Sequence, residues 1–197
     1  MDMYSMTADL CRRLAGRVPD DYINVTRSHF SAGEFASGLQ ATILGLQDQH
    51  IAITDDEADL IGRLLIDAEL DSDEMDAIPR TSVAPPVEYE FNPGEADGLP
   101  DPSPADRIIR ELAVQRNYRW IGRTWRTPLT EYSNAAIWLY LVKTAPGIEE
   151  FGEFSLIDSR FSCDLGVKWL MEVFDETANL PMYHRAALSS AKQIWPD

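Results

Sequence analysis

A cysteine and a histidine are the residues of this sequence best suited to nucleophilic catalysis. Cys163 could attack a substrate as a thiolate, and His184 could accept the thiol proton. The sequence has no nucleophile elbow, and no histidine, including His29 and His50, stands in an H-E-x-x-H or H-x-E pattern. The histidines are therefore interpreted as packing or surface residues, and no catalytic residue is predicted.

Residues 71–76 alternate carboxylates at a spacing that resembles the start of an EF-hand calcium loop. The sixth loop position requires glycine and is Asp76, and the twelfth requires a bidentate glutamate and is Ser82. The two cysteines, Cys11 and Cys163, lie far apart and form no zinc or disulfide pattern. The acidic run is interpreted as a solvated charge run, and no metal or cofactor is predicted.

Arginines alternate with aromatic residues in the one cationic stretch of the sequence. Such interleaving is typical of surfaces that stack on bases or clamp phosphates. In an acidic chain a structural role is favoured, in which the arginines lie beside the protein's own acidic segment or stack on Trp120 and Trp125. The stretch consists of Arg116, Arg119, Trp120, Arg123, Trp125 and Arg126.

The overall composition is strongly acidic, with 33 aspartates and glutamates against 17 lysines and arginines and a formal net charge of −16. This charge repels phosphate backbones and anionic lipids, so neither nucleic acid nor membrane is predicted as a partner. The N-terminus has no signal-peptide pattern and no apolar run is long enough to span a bilayer, which favours a cytoplasmic location. A hydrophobic content of 45% predicts an ordinary globular core.

The negative charge is concentrated in one third of the chain. Residues 48–111 hold eighteen acids and four bases, a net charge of −14, whereas the remainder carries −2. High charge also aids solubility, but its uneven distribution favours a local binding surface for a basic protein. The residues predicted to bind that partner are Asp55, Asp56, Asp59, Asp67, Glu69, Asp71, Asp73, Glu74 and Asp76.

The first seventy residues have the apolar spacing of helices, which predicts a small helical bundle over residues 1–70. Ser5 or Thr7 is the expected cap of the first helix, and Pro19 suits the first turn of the second. A fourth helix gives the clearest signal, because Thr54 and Glu57 form a capping box before an apolar stripe.

The composition changes at residue 71, where prolines begin to alternate with acids and small residues. Residues 71–102 are predicted to form an extended acidic Pro-rich connector that buries little, with one edge strand at 87–91. Residues 103–197 are predicted to form an α+β subdomain, with a helix that begins at Ser103 and an antiparallel sheet of strands at 118–126, 137–144 and 167–174. A final helix is expected from Pro181, with Ala191 and Ile194 on its packing stripe.

Three sequence segments carry a resemblance to known proteins. They are VPDDYINVTRSHFSAGEFASGL, ITDDEADLIGRLL and LPMYHRAALSSAKQIW. The first two resemble the opening helices, and the third the closing helix, of uncharacterised acidic immunity-like proteins encoded in bacterial polymorphic-toxin loci. The resemblance implies an immunity or antitoxin-like role and assigns no functional residue.

These observations favour a non-enzymatic, immunity-like protein that binds and inhibits a basic toxin or enzyme partner. One alternative is a protein-interaction or scaffold module whose two parts dock different proteins. A second alternative is a small enzyme that uses Cys163 or a carboxylate, although carboxylates are too abundant for any acid/base pair to be chosen. The sequence does not predict an oligomeric state.

Overall fold

Residues 2–94, 98–129, 136–166 and 169–196 are described by the computed structural model. The chain divides into two units, Met1–Val87 and Glu88–Asp197. Residues 71–87 of the predicted connector belong to the first unit and residues 88–102 to the second, while residues 95–97 lie outside the described residues.

Four helices make up most of the first unit. Asp2 caps the first helix by accepting a hydrogen bond from the Ser5 amide at 2.8 Å, so this helix begins before the predicted caps Ser5 and Thr7. Pro19 is the N-cap of the second helix, at its predicted start. The helices are α1 Met3–Leu14, α2 Asp20–Ser31, α3 Phe35–Asp48 and α4 Asp55–Asp67.

Two glycines of α3 allow it to pack closely against α2. A Cβ on Gly38 would lie 2.4 Å from Cε1 of Phe30, and a Cβ on Gly45 would lie 3.1 Å from Cδ1 of Tyr22. Glycine is unfavourable inside a helix by about 1 kcal/mol relative to alanine. The packing of the Phe30 and Tyr22 rings therefore explains why α3 has glycine at positions 38 and 45.

The first part of the predicted connector is ordered within the first unit. Residues Ser72–Met75 form a 3₁₀ turn, and strand β2 Arg80–Thr81 pairs in parallel with strand β1 Ile53–Thr54. Met75 and Ile78 are buried. The expectation that this segment buries little is therefore wrong for residues 72–81, because two apolar side chains anchor it.

The second unit is built on a five-stranded sheet, and the α+β class predicted from the sequence is confirmed. The sheet is mixed rather than antiparallel, because strands Ile137–Thr144 and Leu170–Asp175, which a helix separates in the chain, pair in parallel. The strand predicted at 87–91 is present at the sheet edge, and residues 167 and 168 lie outside the described residues. The strands are β3 Tyr89–Asn92, β4 Trp120–Pro128, β5 Ile137–Thr144, β6 Leu170–Asp175 and β7 Lys192–Trp195.

Helices α5 Ser103–Arg116 and α6 Glu150–Leu165 contribute to the main apolar core of this unit. Their buried side chains meet strand residues that include Trp138 and Tyr140. Trp169 is 5% exposed and belongs to the same core. Among the described residues, no helix is long and apolar enough to cross a membrane.

The last helix is shorter than the sequence predicted. Helix α7 spans Met182–Ser190, and the chain then extends as β7, which pairs antiparallel with β4. Ala191 and Ile194 therefore do not lie on a helical stripe. Ile194 is buried as a strand residue, and its apolar character reflects sheet packing.

Candidate partner-binding surface

A capping box and an ion pair hold the start of α4. The Thr54 amide donates to Oε2 of Glu57 at 2.9 Å, and the Glu57 amide donates to Oγ1 of Thr54 at 3.3 Å, as predicted. Arg17 donates to Oε1 of Glu57 at 2.5 Å and to the Ala52 carbonyl at 2.6 Å. Glu57 is buried, so its carboxylate pairs with Arg17 inside the protein and adds no negative charge to the exposed side of α4.

Helix α4 has a buried side, which its apolar stripe forms, and an exposed side. Leu60, Ile61, Leu64 and Leu65 are all buried. The sequence predicted a stripe of Ile61, Leu64, Leu65 and Ala68, of which Ala68 is the half-buried C-cap of the helix. The opposite side faces solvent. Because side chains three and four residues apart share one side of a helix, the exposed acids of α4 lie together.

All nine acids that the sequence predicted as partner-binding residues are exposed. Four of them project from α4, and five follow the helix through the 3₁₀ turn. Among the described residues, none of the nine carboxylates takes part in an ion pair. Those on α4 are Asp55, Asp56, Asp59 and Asp67, and those beyond it are Glu69, Asp71, Asp73, Glu74 and Asp76.

Local hydrogen bonds position the part of the surface that follows α4. Asp71 caps the 3₁₀ turn by accepting from the Asp73 amide at 3.0 Å, and the Glu74 carbonyl accepts from the Gln47 side chain at 2.5 Å. Met75 anchors the turn from inside. Within the described ranges, no group of three or more His, Cys, Asp or Glu side chains is arranged to hold a metal.

The electrostatic character of this surface is strongly negative. Residues 55–76 contain ten acids and one base, Arg63, whose Nε donates to the Asp59 carbonyl at 3.2 Å. A cationic partner can therefore approach and compensate several charges at once.

Two residues of α4, Gly62 and Ile66, were not predicted as site residues. Ile66 is an aliphatic residue on the exposed side and is 74% exposed. Gly62 precedes it by one turn, and a Cβ at that position would meet no atom within 4 Å. The helical period alone would have placed Ile66 outside the apolar stripe, so the sequence carried the signal for it.

The chain was compared with protein families, curated proteins and solved structures, and no family model, curated protein or solved structure matches it.

The structure does not bring Cys163 and His184 together as a nucleophile and its base. Cys163 is exposed on α6, a helix of the core that contains Met171 and Val173. His184 is fully buried, and its Nε2 lies 3.0 Å from Oε2 of Glu172. Glu172 alternates with Met171 and Val173 on β6 and therefore points to the other face of the sheet.

The first arginine of the cationic stretch is engaged by the protein's own acids. Arg116 Nε donates to both carboxylate oxygens of Glu153 at 3.1 Å, and the Tyr118 hydroxyl donates to Oε2 at 2.6 Å. Burial, followed by the hydrogen bond to Glu153, raises the pKa of Tyr118. Arg119 lies 3.8 Å from Glu176 at the surface.

The two strand arginines, Arg123 and Arg126, are buried. Arg123 pairs with Asp106, and its guanidinium lies 4.7 Å from the ring centre of Trp138. Arg126 donates to the Tyr183 hydroxyl and lies 4.1 Å from the ring centre of Tyr89. Cation–π stacking is therefore present as predicted.

The partners of the strand arginines differ from those predicted. Arg123 and Arg126 stack on Trp138 and Tyr89 rather than on Trp120 and Trp125. The aromatic ring next to an arginine is set by strand pairing, which brings distant residues together. Neither guanidinium is available at the surface for a phosphate.

Proposed function

We propose that this chain is a non-enzymatic, immunity-like protein of the cytoplasm that binds a basic protein partner, either a toxin domain or an enzyme, and inhibits it. The observation that supports the proposal most directly is the run of nine exposed carboxylates on α4 and the segment after it, none of which forms an ion pair with a described residue. The resemblance of the N-terminal helices to immunity-like proteins of toxin loci points to the same role.

Electrostatic steering supplies the physical basis for such a role. Complementary charge raises association rates by about 10- to 1,000-fold over uncharged surfaces, and a neutralising protein must bind before its target acts. Enzymes that act on nucleic acids or nucleotides carry cationic clefts for their anionic substrates. An acidic surface that occupies such a cleft competes directly with the substrate.

The experiment that tests the proposal uses the protein encoded next to this gene. The full chain is coexpressed with the basic domain of that protein, and both copurification and the activity of the domain are measured. We expect a stable complex in which the activity of the domain falls in proportion to the bound fraction. A basic domain that copurifies but retains full activity contradicts inhibition.

A matched pair of variants separates the surface from total charge. The first carries Asp55→Asn, Asp56→Asn, Asp59→Asn and Asp67→Asn, and we expect it to lose inhibition. The second neutralises four exposed acids of the second unit, Glu88, Glu90, Glu111 and Glu149, and we expect it to inhibit normally. Far-UV circular dichroism checks that both variants remain folded.

The division into two units supports one second candidate function. Two units of 87 and 110 residues, each with its own core, are the arrangement that a scaffold would use to dock two proteins. Two different proteins bound at once to the full chain, one per unit, would favour this role. The cysteine form of the enzyme alternative has no support from the geometry, because Cys163 is exposed whereas His184 is fully buried, and the carboxylate form stays an alternative.

A further inference from the structure

We infer that Trp120, Lys143 and Gln193 form a binding site for a small ring that carries a carboxylate, an inference that goes beyond the proposed function. The three residues belong to β4, β5 and β7, which are neighbours in the sheet of the second unit. Lys143 lies opposite Trp120 in the pairing of β4 with β5. Gln193 lies opposite Gly122, which shares one face of β4 with Trp120. The three side chains therefore meet on one face of the sheet.

The Trp120 indole is held in one orientation on this face. A Cβ on Gly122 would lie 2.1 Å from Cη2 and 2.6 Å from Cζ2 of the ring, so the indole lies over the glycine instead of standing away from the sheet. Its Nε1 donates to Oε1 of Gln193 at 2.8 Å, and Nε2 of Gln193 donates to the Pro196 carbonyl at 2.8 Å. A ring that is already fixed loses little conformational freedom when a ligand binds to it.

Lys143 is the residue that indicates a negatively charged ligand. Its Nζ lies 4.9 Å from the centre of the Trp120 ring, and it forms no hydrogen bond or ion pair with any described residue. The side chain is half-buried, and its ammonium has three N–H donors. With 33 acids against 17 bases in the chain, a carboxylate beside such a group would be expected. The donors of Lys143 are therefore available to an acceptor from outside the chain.

The arginines of the same unit make this contrast clear. Arg116 pairs with Glu153 and Arg123 pairs with Asp106, and both acids are largely buried. Arg119 lies 3.8 Å from Glu176. These cations are compensated within the protein, whereas Lys143 has only the indole. An aromatic ring attracts a cation but carries no net charge, so it leaves the positive charge uncompensated.

The chemistry of the three side chains defines the class of ligand. An ammonium without a carboxylate favours an anionic group, which accepts charge-assisted hydrogen bonds from it. The fixed indole offers an apolar, electron-rich surface on which the C–H groups of a ring pack. Neighbouring strands lie about 4.8 Å apart, so the three strands together span about 10 Å, which is enough for one ring. The large negative charge of the chain disfavours polyanions, so the ligand is a ring with one carboxylate.

Four probes test this assignment and separate its two chemical sources, sugar acids and aromatic acids. D-Glucuronate and benzoate are ring carboxylates, D-glucose is a ring without the charge, and acetate is a carboxylate without the ring. Each is titrated into isotope-labelled full-length protein, and amide and indole N–H shifts are followed by NMR. We expect one ring carboxylate to bind with a dissociation constant of about 1 mM or lower, and D-glucose and acetate to bind at least about tenfold more weakly. The largest shifts should be those of Trp120, Lys143 and Gln193.

A matched pair of lysine variants tests the role of the ammonium. Lys143→Met removes the charge and keeps an apolar side chain of similar length, and we expect it to weaken binding of the ring carboxylate at least about tenfold. Lys192→Met makes the same change at an exposed lysine that precedes Gln193 and points to the other face of the sheet, so it should bind as the parent chain does. Trp120→Leu should also weaken binding at least about tenfold, and Lys143→Arg should retain it. Circular dichroism confirms that each variant is folded.

Three results overturn the inference. They are the absence of shifts with both ring carboxylates, binding of acetate or D-glucose as tight as that of the ring carboxylates, and equal losses for Lys192→Met and Lys143→Met. The proposed function is tested separately, because it depends on acids of the first unit. Lys143→Met should therefore inhibit the basic partner as the parent chain does.

Discussion

His184 Nε2 lies 3.0 Å from Glu172 Oε2, and both side chains are buried in the second unit. The pair joins α7 to β6, and the His184 ring also packs edge-on against Phe174. Removing one partner of a buried pair leaves the other without compensation. We therefore expect Glu172→Ala to lower the free energy of unfolding by about 3 to 5 kcal/mol, measured by urea denaturation.

Two further variants test whether the stability lost in Glu172→Ala comes from the buried pair with His184. Glu172→Gln keeps an acceptor for the histidine and should cost less, about 1 to 2 kcal/mol. Glu176→Ala removes an exposed acid that lies 3.8 Å from Arg119 and should change stability by less than about 0.5 kcal/mol. A loss for Glu172→Ala no larger than that of Glu176→Ala would mean that the buried pair is not important for stability.

Trp169 is the second residue for which a large effect is expected. Its ring centre lies 5.9 Å from that of Tyr140 and 6.0 Å from that of Phe161, in edge-to-face geometry. Trp169→Ala should cost about 3 to 5 kcal/mol through lost burial and the cavity left behind. Thermal and urea denaturation measure this loss. An unchanged melting temperature would show that the cluster does not depend on the indole.

A close contact between Gly122 and Trp120 gives a prediction about the sheet surface. A Cβ on Gly122 would lie 2.1 Å from Cη2 of Trp120, so the indole packs directly over the glycine. Gly122→Ala should destabilise the protein by about 1 to 3 kcal/mol because the indole must move. The double variant with Trp120→Ala tests the cause: the two losses should be less than additive. Fully additive losses would show that the two positions act independently.

The features that the sequence predicted correctly are those that depend on neighbouring residues. The Thr54 capping box and the apolar stripe of α4 follow from spacings of three and four residues, and both are present. The exposure of the four acids on α4 follows from the same helical period. Local patterns therefore located both the helix and the surface that it presents.

The features that the sequence missed depend on distant pairing. Residues 192–195 form strand β7 because they pair with β4, which lies about seventy residues earlier in the chain. Their own sequence does not show whether they continue a helix or join a sheet. The parallel pairing of β5 and β6 could not be read from their apolar runs either, because a buried strand has the same pattern in both directions.

Two buried tyrosines predict how stability responds to alkaline conditions. Burial is the largest cause that raises the pKa of Tyr118 and Tyr140 above the ordinary value, and the neighbouring carboxylates of Glu153 and Asp106 add to it. A folded-state pKa above that of the unfolded chain contributes stability that is complete below about pH 10 and is lost as the pH rises further. The free energy of unfolding should therefore fall from about pH 10 upward.

The matched variants Tyr118→Phe and Tyr140→Phe test this assignment. Each should flatten the decline of unfolding free energy above about pH 10, because phenylalanine cannot ionise in the unfolded chain. Tyr4→Phe is the control, because Tyr4 is 42% exposed. A decline that is unchanged in both buried variants would assign the alkaline response to other groups.

Partner binding, finally, should depend on salt mainly through the association rate. Surface charges are screened over ~10 Å at 0.1 M ionic strength, so steering weakens as salt is added, whereas contacts that exclude water respond less. Stopped-flow measurement between low and physiological salt should show an association rate that falls more than the dissociation rate rises. Reversal of Asp67, Glu69, Asp71 and Asp73 to lysine should slow association by at least about tenfold.

The control for charge reversal must use acids that the fold does not need. Glu153 is unsuitable because it is buried against Arg116 and Tyr118, so the control reverses the exposed acids Glu88, Glu90, Glu111 and Glu149 of the second unit. Each set changes the net charge by the same amount. Because steering depends on where the charge lies relative to the contact, only the first set should slow association strongly. Equal losses from both sets would mean that total charge governs binding. A tight complex whose rates do not depend on salt would remove the electrostatic basis for placing the partner on α4.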